Sequence, residues 1–314
     1  MNERPPRSFL SRHPRLKRVA YTLYGVLMTP VMLAPLPRFQ LPKRAVYACG
    51  RRIGLCIAYP LIAKKTRINL FFVYGDRMSA RRAEALGRKV AINAVYAVLD
   101  CYYLWLFWWA YRASRIIVDV ANFEHLDLAR KAGKGGAIVA TAHYGCFEIM
   151  PVFFSECRRE THGGVIARSF PSPFLDWLCR RARLLHGVPS FYDQARDVMR
   201  ALRNNGVVGV LPDLRAKRRM GTPTTFFGKA TLTFDIHARV AAHCGCPIVP
   251  AFLMRHKRRP WQYTLQFYPA LFVPPKSGNA ALHAAVQRIN DALEWHIRRY
   301  PSGWMWINNK WRLW

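Results

Sequence analysis

Apolar residues along this chain change their period several times, and each change marks an element. Ala83, Leu86, Val90, Ala94, Val98 and Tyr102 recur at three- and four-residue steps, which predicts a long helix over Ala80 to Arg112 capped by Ser79. A short helix follows over Phe123 to Lys131, stopped by Gly133. The continuous apolar run Ala137 to Ala142 reads as a buried strand, and Val165 to Ala167 as a shorter one. Ser172-Pro173 opens another helix, with Asp176 in its early turns and Leu175, Leu178 and Ala182 on one face. Asp193 to Asn205 is helical, with Val198, Met199 and Leu202 inward and Gly206 as its stop. Val207 to Leu211 is a strand, Leu232 to Ala242 a helix, Pro247 to Met254 a strand, and Gln262 to Tyr268 an alternating strand. Ala280 to Arg299 closes as a helix with Leu282, Val286, Ile289, Leu293 and Ile297 on its inner face.

Strands alternating with helices predict an α/β fold, a mixed sheet flanked by helices. Val19 to Pro37 is uncharged and could just span a bilayer, although Pro30, Pro35 and Pro37 interrupt it. Positive charge flanks both ends, so the charge rule for membrane orientation does not choose a direction. A signal peptide is disfavoured by those prolines and by the lack of a small-x-small cleavage site. The expected organisation is a basic N-terminus and membrane anchor over 1–38, a helical and interfacial region over 39–120, and an α/β core over 121–314. Within the middle region, CYYLWLFWWAY (Cys101 to Tyr111) holds seven aromatics in eleven residues. It fits either a seat at the lipid headgroups or an aromatic core helix.

Composition sharpens the picture. The chain has 314 residues, 52% of them hydrophobic, with 49 lysines and arginines against 17 acids, a net charge of +32. That excess implies anionic partners: phosphorylated lipid, a membrane surface, an acidic protein or nucleic acid. Two clusters stand out, Arg215-Ala216-Lys217-Arg218-Arg219 and Arg255-His256-Lys257-Arg258-Arg259. The eight cysteines form no CxxC pair, which argues against a disulfide framework and fits reduced thiols facing the cytosol. His243-Cys244-Gly245-Cys246 lacks a second pair at zinc-finger spacing, so no metal is expected.

The candidate chemistry lies in TAHYGCFEIM, Thr141 to Met150. His143 and Glu148 are five apart. A helix would point them about 140° apart, and a strand would put them on opposite faces. They meet only if the backbone changes form, with a strand ending at Ala142, a turn at His143 to Gly145 and a helix from Phe147. His143 then sits at the carboxyl end of a strand, where open α/β sheets bind ligands. Glu148 in the first turn is expected to reach back and orient the ring, leaving the other ring nitrogen as a base. No Gly-x-Ser-x-Gly elbow exists, so the hydroxyl to be activated belongs to the substrate.

HYGCFE resembles the His-x4-Asp/Glu motif of the lysophospholipid acyltransferase superfamily. Its setting is most similar to the bacterial lipid A biosynthesis (lauroyl/myristoyl) acyltransferases. RINLFFVYGDRMSARR (Arg67 to Arg82) is similar to that family's Asn-Leu segment. RSFPSPFLD (Arg168 to Asp176) resembles its Arg-x3-Asn-Pro-x-Leu-Asp segment, with Ser172 in place of asparagine. VVGVLPD ends at Asp213 where the family has Asp-Gln, with Leu214 replacing the glutamine. TPTTFFGK matches its Phe-Phe-Gly turn at Phe226, Phe227 and Gly228, and CPIVPAF (Cys246 to Phe252) an apolar strand. YPSGWMWINNKWR (Tyr300 to Arg312) resembles the tryptophan-rich C-terminus, with Asn308 and Asn309 departing from His-Arg. The ordered set covers roughly residues 60 to 312.

The resemblance implies a glycerolphosphate-acyltransferase-like fold and transfer of a fatty acyl chain from a thioester to a lipid hydroxyl. His143 would be the general base and Glu148 its partner, with no cofactor. Arg168 would grip a phosphate or the acyl-carrier arm. Asp213 would orient the acceptor or serve structure, and Gly228 would line the site. The expected donor is acyl carrier protein, and the acceptor an anionic lipid such as a lipid A precursor, at the cytoplasmic face of a bacterial inner membrane. Two rivals stand beside this reading: an acyl-CoA-dependent lysophospholipid or amino-acid-lipid acyltransferase, and a non-catalytic basic protein binding membrane or nucleic acid. The missing Glu-Gly-Thr-Arg motif argues against an acyl-CoA phospholipid enzyme, and the ordered motifs against the binder; no nucleic-acid partner is expected.

Overall fold

A computed structural model describes residues 42–106, 112–159, 161–169, 173–192, 195–275 and 278–313. The expected anchor over 1–38 and the end of the aromatic stretch, 107–111, lie outside the described residues. Seven strands form one sheet in the order β1-β9-β8-β2-β5-β3-β4. They are β1 (Ile117–Ala121), β2 (Ala137–Ala140), β3 (Gly164–Ala167), β4 (Ser190–Tyr192), β5 (Val207–Val210), β8 (Ile248–Arg255) and β9 (Tyr263–Phe267). All pairs are parallel except β8 with β9, so the sheet is mixed as expected. β6 (Gly221–Phe226) and β7 (Lys229–Phe234) form a separate antiparallel hairpin.

Strand alternation divides the core into two layers. In β2, Ile138 and Ala140 join a cluster with the helix Ile236–Cys244, while Ala137 and Val139 join one with the helix Ile149–Arg158. Both faces of β2 are buried, which is why it reads as an unbroken apolar run. β2 leaves the sheet toward one layer and its neighbour β5 toward the other. Their adjacent carboxyl ends therefore flank a crevice, the usual ligand position in such sheets.

Most expected elements are present within a few residues. The exception is Leu232 to Ala242. Its first three residues end β7, and the helix begins only at Ile236. Thr231 and Thr233 pair with Thr224 and Thr222 across the hairpin, and this two-residue alternation of β-branched side chains outweighs the helical spacing of the apolar ones. β1, β4 and β6 were not foreseen. Val98, one of the residues at helical spacing in the long helix Ala80–Leu106, is exposed, whereas Tyr96 and Asp100 are buried.

The helices before the sheet are tied to it by polar groups as well as packing. Lys43–Ile53 continues through a π-helical turn, Gly54–Ala58, into Tyr59–Tyr74. Gly54 lets this helix approach the long one closely, because a Cβ there would lie 2.8 Å from the Ile92 backbone. Asp100, fully buried, accepts hydrogen bonds from Tyr47, from Tyr263 at 2.5 Å and from Arg255 at 2.7 Å. This cluster joins the first helix, the long helix and the sheet. Asn69 donates to the carbonyls of Trp306 at 2.6 Å and Asn308 at 2.9 Å, fastening the second helix to the C-terminal segment. The stretch Lys43–Arg77 is long and apolar enough to cross a membrane by length and composition.

Removing one partner of a buried ion pair leaves an uncompensated charge. Asp100→Ala should therefore destabilise the protein by about 3–5 kcal/mol. The double variant Asp100→Leu/Arg255→Met should recover much of that loss. Thermal unfolding of both variants against wild type checks this.

Candidate active site

The register of two parallel strands builds the site. Ala140 of β2 lies opposite Val210 of β5. Three residues beyond Ala140 is His143, and three beyond Val210 is Asp213, so equal offsets bring the two side by side. His143 Nδ1 lies 2.8 Å from Asp213 Oδ1, and the His143 backbone N–H donates to Oδ2 at 2.9 Å. Trp304 Nε1 donates to the same Oδ2 at 2.8 Å. Asp213 is wholly buried, whereas 23% of the His143 side chain is exposed. Burial pulls the His143 imidazolium down, but the Asp213 carboxylate, with a smaller push from Glu148, raises it above the ordinary histidine value. The carboxylate of Asp213 stays below its ordinary range, because His143 and Trp304 outweigh its burial.

The C-terminal segment braces this arrangement. Gly145 N–H donates to Gly303 O at 2.9 Å and Met305 N–H to His143 O at 3.1 Å, so the segment runs as a clamp along the motif loop. Gly303 packs against the Tyr144 ring, where a Cβ would come within 2.2 Å. Gly145 holds φ 55°, and a Cβ would press on Leu253 O at 3.1 Å. Lys310, fully buried, sends its Nζ to Pro212 O, Leu214 O and Thr233 Oγ1 at 3.1–3.2 Å. It grips the backbone on both sides of Asp213. Burial pushes its ammonium down to about 7.

Glu148 does not take the position expected for it. Its two oxygens accept a bidentate pair from Arg183, Nε at 2.8 Å and Nη2 at 2.5 Å. The correction has a geometric cause. The neighbouring strand delivers Asp213 beside His143, and Glu148, at the start of the helix, meets Arg183 from the helix Pro173–Leu185. Asp213, read from sequence as structural or acceptor-orienting, is the group bonded to the ring.

His143, Glu148 and Arg183 line a cavity of about 600 Å³, whose wall is otherwise mostly apolar, with Val139, Met150, Phe154, Val165, Phe191 and Val207. Arg168 and Arg215 also line it, and neither has a carboxylate partner among the described residues. Gly228, expected to line the site, does not. With Phe227 it forms a two-residue hairpin tip, both at positive φ, and nothing lies within 4 Å of where its Cβ would be. The adjacent phenylalanines anchor that tip: Phe226 and Phe227 pack among Trp304, Trp306 and Trp311. Trp304, Lys310 and Arg183 were not singled out from sequence. Trp304 and Lys310 fall in the tryptophan-rich segment, and no local signal marks Arg183. Among the described residues no cluster of three metal-ligating side chains occurs.

The sequence matches the family described as bacterial lipid A biosynthesis acyltransferase over residues 14–313. A comparison with curated proteins found no match.

If Asp213 sets the titration of His143, Asp213→Asn should lower the imidazole pKa markedly. Glu148→Gln should lower it less, since that carboxylate is more distant and shared with Arg183. Histidine-selective NMR titration of wild type and the two variants distinguishes them; a larger drop in Glu148→Gln would reverse the assignment.

Proposed function

From the premise that the chain belongs to the bacterial lipid A biosynthesis acyltransferase family, we propose a specific reaction for its site. The family makes it an acyltransferase of the lipid A type, in a family that is membrane-associated in bacteria. We propose that it transfers a fatty acyl chain from acyl carrier protein to a hydroxyl of a lipid A precursor or related anionic lipid, at the cytoplasmic face of the inner membrane. The observation that carries this reading is a histidine fixed by a buried carboxylate at the wall of an apolar cavity.

The acyl chain occupies the apolar cavity, whose size is usual for a small-molecule site. His143, with Nδ1 bonded to Asp213, takes the proton of the acceptor hydroxyl through Nε2. The oxygen attacks the thioester carbon, and the C–S bond breaks as the tetrahedral centre collapses. The leaving sulfur takes the proton back from the imidazolium, so atoms and charge balance with no further reactant. Asp213 holds the ring orientation and stabilises its charged form. Glu148 adds to that field and fixes Arg183. Arg168 and Arg215, without carboxylate partners among the described residues, suit a phosphate on either substrate. Lys217 and Arg218 follow Asp213 by a few residues, which supports docking of an acidic carrier beside the cavity. An acyl-CoA donor is the second reading, because its phosphates suit the same arginines.

His143→Ala should reduce acyl transfer by about 10²–10⁴, while circular dichroism shows a folded chain. Retention of a tenth or more of wild-type turnover would exclude His143 as the base. Lys217→Glu/Arg218→Glu should raise the KM for carrier-bound acyl chains, with a salt dependence weaker than wild type. Equal use of acyl-CoA, or carrier kinetics indifferent to the two reversals, would move the donor to the second reading.

A further inference from the structure

Thr141 carries an unexplained hydroxyl in the cavity wall. Its hydroxyl is buried and has no hydrogen-bond partner among the described residues, although its residue is only 4% exposed. Elsewhere in the wall, Glu148 is satisfied by Arg183 and Asp235 by Thr222 and Arg239, while Nε of the partly buried Arg215 also lacks a partner among the described residues. Native proteins seldom leave a buried hydroxyl unpaired unless a water, ion or ligand completes it.

Its position says what would complete it. The Thr141 backbone N–H donates to Val210 O at 2.9 Å, so the chain is still strand-like there. Side chains at 139, 141 and 143 therefore share one face, and Val139, Thr141 and His143 all line the cavity. Ala140 and Ala142 belong to the opposite core layer. The register that places Ala140 beside Val210 sets Leu211 beside Thr141, and Leu211 offers no acceptor. One pleat beneath the histidine, Thr141 thus lines the cavity with a covered hydroxyl that has no partner among the described residues, and rotation about its Cα–Cβ bond turns that hydroxyl toward a bound ligand.

We propose that Thr141 is a further catalytic residue, its hydroxyl donating to the thioester carbonyl oxygen of the bound acyl donor. This rests on the acyl-transfer reading given above. The acceptor hydroxyl needs an acceptor for its proton, which His143 supplies. The carbonyl oxygen instead gains negative charge as the new C–O bond forms, and it needs a donor in a site with little water. The hydroxyl keeps its proton throughout, and the charge returns to the C=O bond when sulfur leaves. An acyl chain lying along Val139 carries its carbonyl past Thr141 toward His143.

Thr141→Val removes the hydroxyl at nearly constant shape, and Thr141→Ser keeps it. Turnover is followed as thiol release from lauroyl-acyl carrier protein with a lipid A precursor as acceptor. Thr141→Val should lower kcat at least about tenfold while leaving the donor KM within about threefold, as expected for a group acting on the transition state. Thr141→Ser should stay within about threefold of wild type. The melting temperature of Thr141→Val should be unchanged or higher, because the hydroxyl satisfies no protein group. A second readout needs no acceptor: the infrared stretch of ¹³C=O-labelled lauroyl-pantetheine thioester, bound to the protein, should lie at lower frequency in wild type than in Thr141→Val. Wild-type kcat with an unshifted stretch overturns the proposal, and so does a fall in melting temperature that accounts for the lost activity. His143→Ala in the same assay separates the two claims. If it stays active, the base assignment fails while the carbonyl stretch still judges Thr141; if it is inactive and Thr141→Val is not, only Thr141 is misassigned.

Discussion

A carboxylate wholly removed from water must be surrounded by donors, and Asp213 obliges much of this chain to supply them. Its partners are the backbone and ring of His143, and the indole of Trp304 from the far end of the sequence. To satisfy one side chain, the fold brings together the exits of two adjacent strands and a C-terminal segment that has already left the last helix. Lys310 then pins the carbonyls either side of it. The second helix enters the same scheme through Asn69, which holds the carbonyls of Trp306 and Asn308. The apolar N-terminal helix, the tryptophan segment and the histidine loop are thus one mechanical unit. Two hydrogen bonds join that helix to the segment that carries Trp304.

Much of the architecture was legible because its periods are clean. The long helix, the closing helix Asn279–Arg299 and the buried strands each carry an unambiguous apolar spacing, and the α/β class followed from their alternation. The β6–β7 hairpin was not legible as a whole, because Leu232 is shared between a strand period and the start of a helical one. The edge strands β1 and β4 are short and only partly buried, so they leave little pattern.

At the site, the sequence pointed to His143 and the strand exit, but local spacing misdirected its partner. Glu148 is near in sequence and Asp213 is 70 residues away, yet the sheet makes the second the closer. Parallel register is a long-range fact. It can be inferred only once the two strands are known to be neighbours, after which equal offsets of three residues place the pair. Arg183 was hidden for the same reason, as it reaches Glu148 across 35 residues. Gly228 was misplaced because a Phe-Phe-Gly run describes both a hairpin tip and a site-lining turn, and only the packing of the two rings on the tryptophans chooses between them.

The distribution of acids gives the charge excess its meaning. At least ten of the 17 acidic residues take part in ion pairs: Glu84, Asp100, Asp127, Glu148, Glu156, Asp176, Asp197, Asp213, Asp235 and Glu294. Four of them, Asp100, Glu148, Asp213 and Asp235, are buried. With so many carboxylates engaged in pairs, most basic residues have no acid beside them: 49 lysines and arginines stand against 17 acids. A surface of that kind attracts anionic partners over roughly a Debye length, about 8–10 Å at physiological salt. It does not select among them. Discrimination falls to the cavity, where Arg168 and Arg215 have no carboxylate partner among the described residues and the wall is mostly apolar. Long-range attraction and short-range choice are therefore carried by different residues, and changes to surface lysines should act on encounter while changes at the cavity act on turnover.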